Sequence, residues 1–214
     1  MSELLQKQGV RGQLHRPEGD PVAGLVLTHG AGSNCDTKLL RAMAEGFVER
    51  GVLVLLFDLP FRQRRASGPP HPSRAAEDRE GVAEAVAVMR DFGPGPVWAG
   101  GHSYGGRQAS MLAAENPAGI DALLLLSYPL HPPAKPEKRR TDHFPDLRTP
   151  AVIVHGSKDP FATTEEMESA LELIPATTIL VEFDGARHDL APDKFPVVDR
   201  AVAAMFDLRQ RRKK

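Results

Sequence analysis

Cysteine is almost missing from this chain of 214 residues: Cys35 is the only one. An intramolecular disulfide and a multi-cysteine metal site are therefore excluded, and nothing points to an oxidising compartment. No segment approaches the roughly 18 uninterrupted apolar residues of a membrane span. The first residues, Met1 to Gln8, lack the basic region and apolar run of a secretory signal, so a cytoplasmic protein is expected. Charge of one sign is also lacking, with 27 Lys and Arg against 28 Asp and Glu. A formal net charge of −1 supplies no general attraction for nucleic acid or anionic membranes, and neither is expected as a partner. The basic cluster Arg209, Arg211, Arg212, Lys213 and Lys214 is expected to be a mobile, solvated chain end or a helix end complementing the dipole.

What is present is ordinary globular composition, 41% hydrophobic and 26% charged, at a length that suits one α/β domain over residues 1–214. Short apolar runs recur at 24–28, 52–57, 97–100, 120–127, 151–154 and 178–183, and helical spacing occupies 38–50, 75–90, 104–115, 164–173 and 195–208. Runs such as Val52 to Phe57 and Ala122 to Leu126 are apolar at every position, as strands covered on both faces must be. A mostly parallel twisted sheet with helices on both faces follows, with one further strand near 9–15 ahead of the turn signal at 17–21. In such a sheet, ligands gather at the carboxyl ends of the strands, which directs attention to the loops beginning at His29, Asp58, Gly101, Tyr128, His155 and Asp184. The loops 62–74 and 128–150 are too short to form a separate lid domain.

The strongest local signal is Gly101-His102-Ser103-Tyr104-Gly105, set between the strand Val97 to Gly100 and an apolar-striped helix. It matches G-x-S-x-G in the strand, turn and helix setting of a nucleophile elbow, where the serine's backbone is strained and the flanking positions must be tiny. The competing reading is an incidental glycine-rich turn. A phosphate loop is disfavoured because no Gly-Lys-Ser/Thr follows.

A serine hydroxyl needs a base, and eight histidines compete for that role. His188 follows the last strand, where the chain order Ser, acid, His places it. His29 and His155 are expected to shape strand-end turns through hydrogen bonds, and His102 to turn away from Ser103. His131 and His143 stand as candidate substrate contacts. Asp159, in His155-Gly-Ser-Lys-Asp-Pro160, lies on the loop that supplies the acid orienting the base, with Asp184 and Asp189 in reserve. Its other reading is a turn aspartate before proline. An oxyanion would be held by the amides of Ala31, in the loop His29-Gly-Ala-Gly32, and Tyr104. Cys35 is expected to be a small packed residue, and no metal or organic cofactor is implied.

These residues, with His29 to Asn34, Gly105-Gly-Arg107, Tyr128 to Lys138 and His155 to Phe161, resemble the small dienelactone-hydrolase-like α/β-hydrolases. The resemblance runs from about Val22 to Leu208, and is most specific to a subgroup related to testis-expressed and chromatin-complex proteins. It implies an eight-strand-type hydrolase sheet that could lack its first strand, and a triad of Ser103, Asp159 and His188. Serine stands where dienelactone hydrolases proper use cysteine.

Two loops at the carboxyl edge are basic, Arg62, Arg64 and Arg65 in one and Lys135, Lys138, Arg139 and Arg140 in the other, against Glu137 alone. Such concentration would favour an anionic substrate, with Arg62, His131 and Lys135 as contacts; mobile solubilising side chains are the plainer reading. The expected activity is serine hydrolysis of an ester-like bond in a small acyl substrate. Thioester cleavage or acyl transfer by the same machinery, and a binding scaffold on an inherited fold, are the alternatives.

Overall fold

Strands that are apolar throughout have to be covered twice, and the sheet is. The computed structural model describes residues 2–117 and 119–211. Eight strands form one sheet: β1 (Ser2–Lys7), β2 (Val10–His15), β3 (Ala23–Thr28), β4 (Val52–Phe57), β5 (Val97–His102), β6 (Ala122–Leu126), β7 (Ala151–Gly156) and β8 (Thr178–Phe183). Their spatial order is β1-β2-β4-β3-β5-β6-β7-β8, antiparallel at β1–β2 and β2–β4 and parallel elsewhere.

Period-two alternation sorts each strand's side chains onto two faces. In β4, Leu53, Leu55 and Phe57 join one core, with Val82, Ala85 and Met89 of α3 (Ala75–Asp91) and Ala109 and Ala113 of α4 (Tyr104–Glu115). Val52, Val54 and Leu56 join the other, with Leu40, Met43 and Phe47 of α1 (Lys38–Val48) and Val202 and Met205 of α6 (Val197–Arg211). A short α2 (Pro60–Arg64) falls where only a loop was expected, and α5 (Thr164–Leu171) opens on a capping box between Thr163 and Glu166.

The first strand, which the resemblance left open, is present. β1 is exposed along its length except for Leu5, and so carries no alternation to read. It is held by a two-residue hairpin in which Gln8 and Gly9 take φ of 50° and 80°, the turn whose twist suits paired antiparallel strands. At the other end, Arg209 and Arg211 stand in the last turn of α6, as the helix-end reading of the basic cluster has it. The Arg211 guanidinium grips Asp207 one turn back at 2.8 Å, and residues 212–214 lie outside the described residues.

From β3 the chain moves to β4 on one side and, after α3, to β5 on the other. The carboxyl ends of β3 and β5 therefore flank the sheet's topological switch point, where a crevice opens in folds of this kind.

Candidate active site

The elbow stands at that switch point. Ser103 has φ 51° and ψ −114°, a conformation that costs a non-glycine residue about 1–3 kcal/mol. It is clamped from both sides: its N–H donates to the Leu126 carbonyl at 2.8 Å, and its carbonyl accepts the Arg107 N–H at 3.0 Å to start α4. The small neighbours have an identifiable cause in the end of β3. A Cβ on Gly101 would lie 2.4 Å from the Thr28 oxygen, and one on Gly105 2.6 Å from the His29 oxygen.

The loops after β7 and β8 bring the other two groups to the serine. His188 Nε2 is 2.9 Å from Ser103 Oγ, and its Nδ1 is 2.8 Å from Asp159 Oδ2. Since the carboxylate accepts, Nδ1 carries the proton, and the bare Nε2 accepts from the serine hydroxyl. The Asp159 side chain is fully buried, and its other oxygen accepts the Phe161 N–H at 2.9 Å. The Phe161 ring packs on the His188 imidazole with 4.4 Å between centroids. Asp184 instead accepts from Ser157 Oγ, and Asp189 lines a neighbouring cavity.

His102 makes no hydrogen bond to Ser103 Oγ; its partner is His188. Its ring lies 4.9 Å from that of His188, and its Nε2–H donates to the His188 carbonyl at 2.8 Å. Burial, reinforced by the adjacent His188, lowers its pKa to about 4, so the ring is neutral near neutral pH.

The amides of Ala31 and Tyr104 donate no hydrogen bond among the described residues, which leaves both free for an acceptor. The Tyr104 phenol is engaged elsewhere, donating to buried Asp78 at 2.8 Å. Below the oxyanion loop, His29 Nδ1–H donates to the Gly30 carbonyl and Nε2 accepts the Leu59 N–H, so His29 shapes its turn as expected. His155 does not do the same: neither buried ring nitrogen makes a close, well-aligned hydrogen bond, and the polar group facing it is the Ala162 carbonyl.

Two expected substrate contacts are committed to the protein itself. Arg62 is buried, and its guanidinium donates to the carbonyls of Ala31, Ser33, Arg65 and Gly68 at 2.7–3.2 Å. It braces the loop of Ala31 to Ser33 against that of Arg65 to Gly68, because a five-donor fork can bond several carbonyls at once. His131 is also buried, between the Pro132 carbonyl and Glu166 Oε2. Lys135 is exposed and makes no ion pair among the described residues. His143 meets Ser110 Oγ at 2.8 Å. Cys35 is packed as expected, its thiol pushed up to about 12 by burial and by Asp58.

Beside His102, a cavity of about 230 Å3 opens between the start of α1 and the loop carrying the base, walled by Thr37, Leu39, Ala191 and Pro192. A Lys38–Asp193 ion pair of 3.2 Å belongs to the same walls. Among the described residues, no three His, Cys, Asp or Glu side chains are grouped to hold a metal. No helix among them is long and apolar enough to cross a membrane.

An eight-stranded, mostly parallel sheet with its elbow at the switch point defines an α/β-hydrolase. Residues 21–203 match the α/β hydrolase domain family, and the chain belongs to it. Its fold is shared with solved structures at low identity. A dienelactone hydrolase from Anabaena variabilis is 20% identical, with a TM-score of 0.75 over 99% of this chain and 97% of that one. Est1E from Butyrivibrio proteoclasticus is 19% identical, with a TM-score of 0.76 over 98% and 99%. An α/β serine hydrolase without a lid from Xanthomonas campestris is 16% identical, with a TM-score of 0.73 over 96% and 94%.

Proposed function

We propose that the protein is a carboxylesterase-like serine hydrolase acting on a small acyl substrate through an acyl-enzyme. The observation that carries this is the chain of contacts from Asp159 to His188 to Ser103, at 2.8 and 2.9 Å, beside two unengaged amides. His188 Nε2 takes the Ser103 proton as Oγ attacks the acyl carbon, and the developing oxyanion receives the Ala31 and Tyr104 N–H groups. The imidazolium, steadied by Asp159, returns the proton to the leaving alcohol as the ester C–O bond breaks. Water, deprotonated by the same imidazole, then attacks the acyl carbon; the bond to Ser103 Oγ breaks, Oγ takes the proton back from the imidazolium, and the acid leaves.

The anionic preference belongs to this reading. Lys135, Lys138 and Arg139 are exposed and form no close ion pair among the described residues, with Glu137 and Glu166 the acids nearby, so positive charge is in excess at the carboxyl edge. A reducing, cytoplasmic setting with neither nucleic acid nor membrane as partner fits the near-zero net charge and the lone buried thiol. Kinship with the testis-expressed and chromatin-complex subgroup rests on the Tyr128 to Lys138 stretch.

The test is a panel of esters, thioesters and lactones run on wild type and Ser103→Ala, with fluorophosphonate labelling. Ser103→Ala should remain folded, lose labelling and lose turnover of p-nitrophenyl acetate. Asp159→Asn should retain labelling at a rate about 10⁴-fold lower. Labelling that survives Ser103→Ala would overturn the assignment.

A further inference from the structure

Between α2 and the turn at 71–74 that precedes α3 lies a cavity of about 340 Å3 lined by Phe61, Arg64, Arg65, His71 and Arg74. Four of these five side chains are basic in type, and no acid lies in the wall. Compensation is partial. Glu77 lies 2.6 Å from Arg64 and 3.9 Å from Arg74, and buried Asp78 beneath the floor accepts the Phe61 N–H at 3.0 Å and faces Arg64, so two carboxyl groups stand against three guanidinium groups. The Arg65 guanidinium donates only to the Pro69 carbonyl among the described residues. His71 Nδ1 faces Ser73 Oγ at 2.8 Å and accepts the Ser73 N–H, which leaves Nε2 as the ring's free donor.

The floor connects this cavity to the reacting centre. Phe61 is buried, and its ring meets that of Tyr104, the residue after the nucleophile, edge-on at 5.9 Å. Arg62 ties the cavity's rim, through the Arg65 and Gly68 carbonyls, to the oxyanion loop, through those of Ala31 and Ser33. Rim and the loop of Ala31 to Ser33 are thus braced by one side chain.

We propose that this cavity is an anion subsite, in which Arg65, Arg74 and the His71 Nε2–H hold a carboxylate or phosphate carried by the substrate on a planar or apolar segment lying against Phe61. It deepens the esterase reading by naming the class of substrate. A cleft with an excess of positive charge attracts anions, and guanidinium forks match the geometry of a carboxylate or a phosphate. Its volume suits a small aromatic or short-chain acid.

The experiment measures binding of phenyl phosphate, benzoate and neutral phenol to the Ser103→Ala protein by titration calorimetry, so that it does not depend on turnover. Either anion should bind, and phenol at least tenfold more weakly; the stronger of phenyl phosphate and benzoate identifies the preferred group. Adding Arg65→Ala and Arg74→Ala together should weaken the anion at least tenfold. Both side chains are exposed, and an unchanged circular dichroism spectrum would show that the fold is kept. Adding Arg16→Ala and Arg41→Ala removes the same charge elsewhere and should leave binding as it was. Equal losses in the two double variants, or no preference for the anions over phenol, would overturn the subsite. Absent labelling of wild-type Ser103 would instead sink the esterase reading and leave this binding result standing.

Discussion

His102 Nε2–H donates to the main-chain carbonyl of His188 at 2.8 Å, so the residue before Ser103 anchors the loop that carries His188. The two positions are 86 residues apart in the chain. This bond fixes where the imidazole can stand relative to Ser103 without touching the substrate, which makes His102 a positioning residue. One such bond contributes about 1 kcal/mol, equivalent to roughly fivefold in rate. His102→Ala should lower kcat by about that factor or more with KM little changed, and His102→Gln, which keeps an N–H donor, should recover part of the loss. Equal kcat in wild type and both variants would remove this role.

Arg62 makes a separate prediction about the oxyanion loop. Its replacement by Met leaves four carbonyls without their donor, including that of Ala31. Arg65 and Gly68 are exposed and water can replace the lost donor there, but at the half-buried Ala31 and Ser33 each lost bond costs about 1 kcal/mol, so the thermal midpoint should fall. Because the Ala31 amide moves with its loop, kcat should fall toward the about 10²–10³-fold loss typical of removing an oxyanion donor. Stopped assays on p-nitrophenyl acetate, alongside a thermal melt, read both effects. A lower melting point with unchanged kcat would make Arg62 a purely structural residue.

Two glycines offer a paired comparison. A Cβ at Gly105 would stand 2.6 Å from the His29 oxygen, while one at Gly32 meets nothing within 4 Å. Gly105→Ala should therefore push the elbow away from β3 and cost most of the activity, whereas Gly32→Ala should be close to silent. Specific activity of the two purified variants is sufficient to decide it.

Buried histidines set the acid limit of stability. Burial lowers His102 and His143 to about 4, with Arg107 adding to the effect at His143, and it also lowers His15, His29 and His155. Unfolded, each takes its proton near 6.5. Between about pH 6.5 and 4 the unfolded chain thus binds protons that the native state refuses, and stability falls as pH falls. Asp78 acts in the opposite sense, because burial raises its pKa and the native state protonates first, but it is one group against five. The thermal midpoint should be lower at pH 5 than at pH 7.5, and His143→Gln should narrow that difference. A midpoint independent of pH across this range would contradict the burial of these rings.

What could be read from the residues alone was local. Apolar runs in β3 to β7 announced a doubly covered sheet because burial on two faces forbids polar positions, and the elbow announced itself because its strained turn needs Gly101 and Gly105 within two residues of Ser103. Chain order was enough to nominate His188 and Asp159. The exposed edge strand β1 left no such mark, because its pairing depends on a hairpin turn and not on a buried face. Tertiary structure alone decided that Arg62 turns inward to four carbonyls and His131 to Glu166, that His102 holds the base, and that Arg65, His71 and Arg74 gather around Phe61. Patterning and backbone strain act between neighbours in the chain, whereas the partner of a polar side chain is chosen by which loops the folded sheet brings within 3 Å of it.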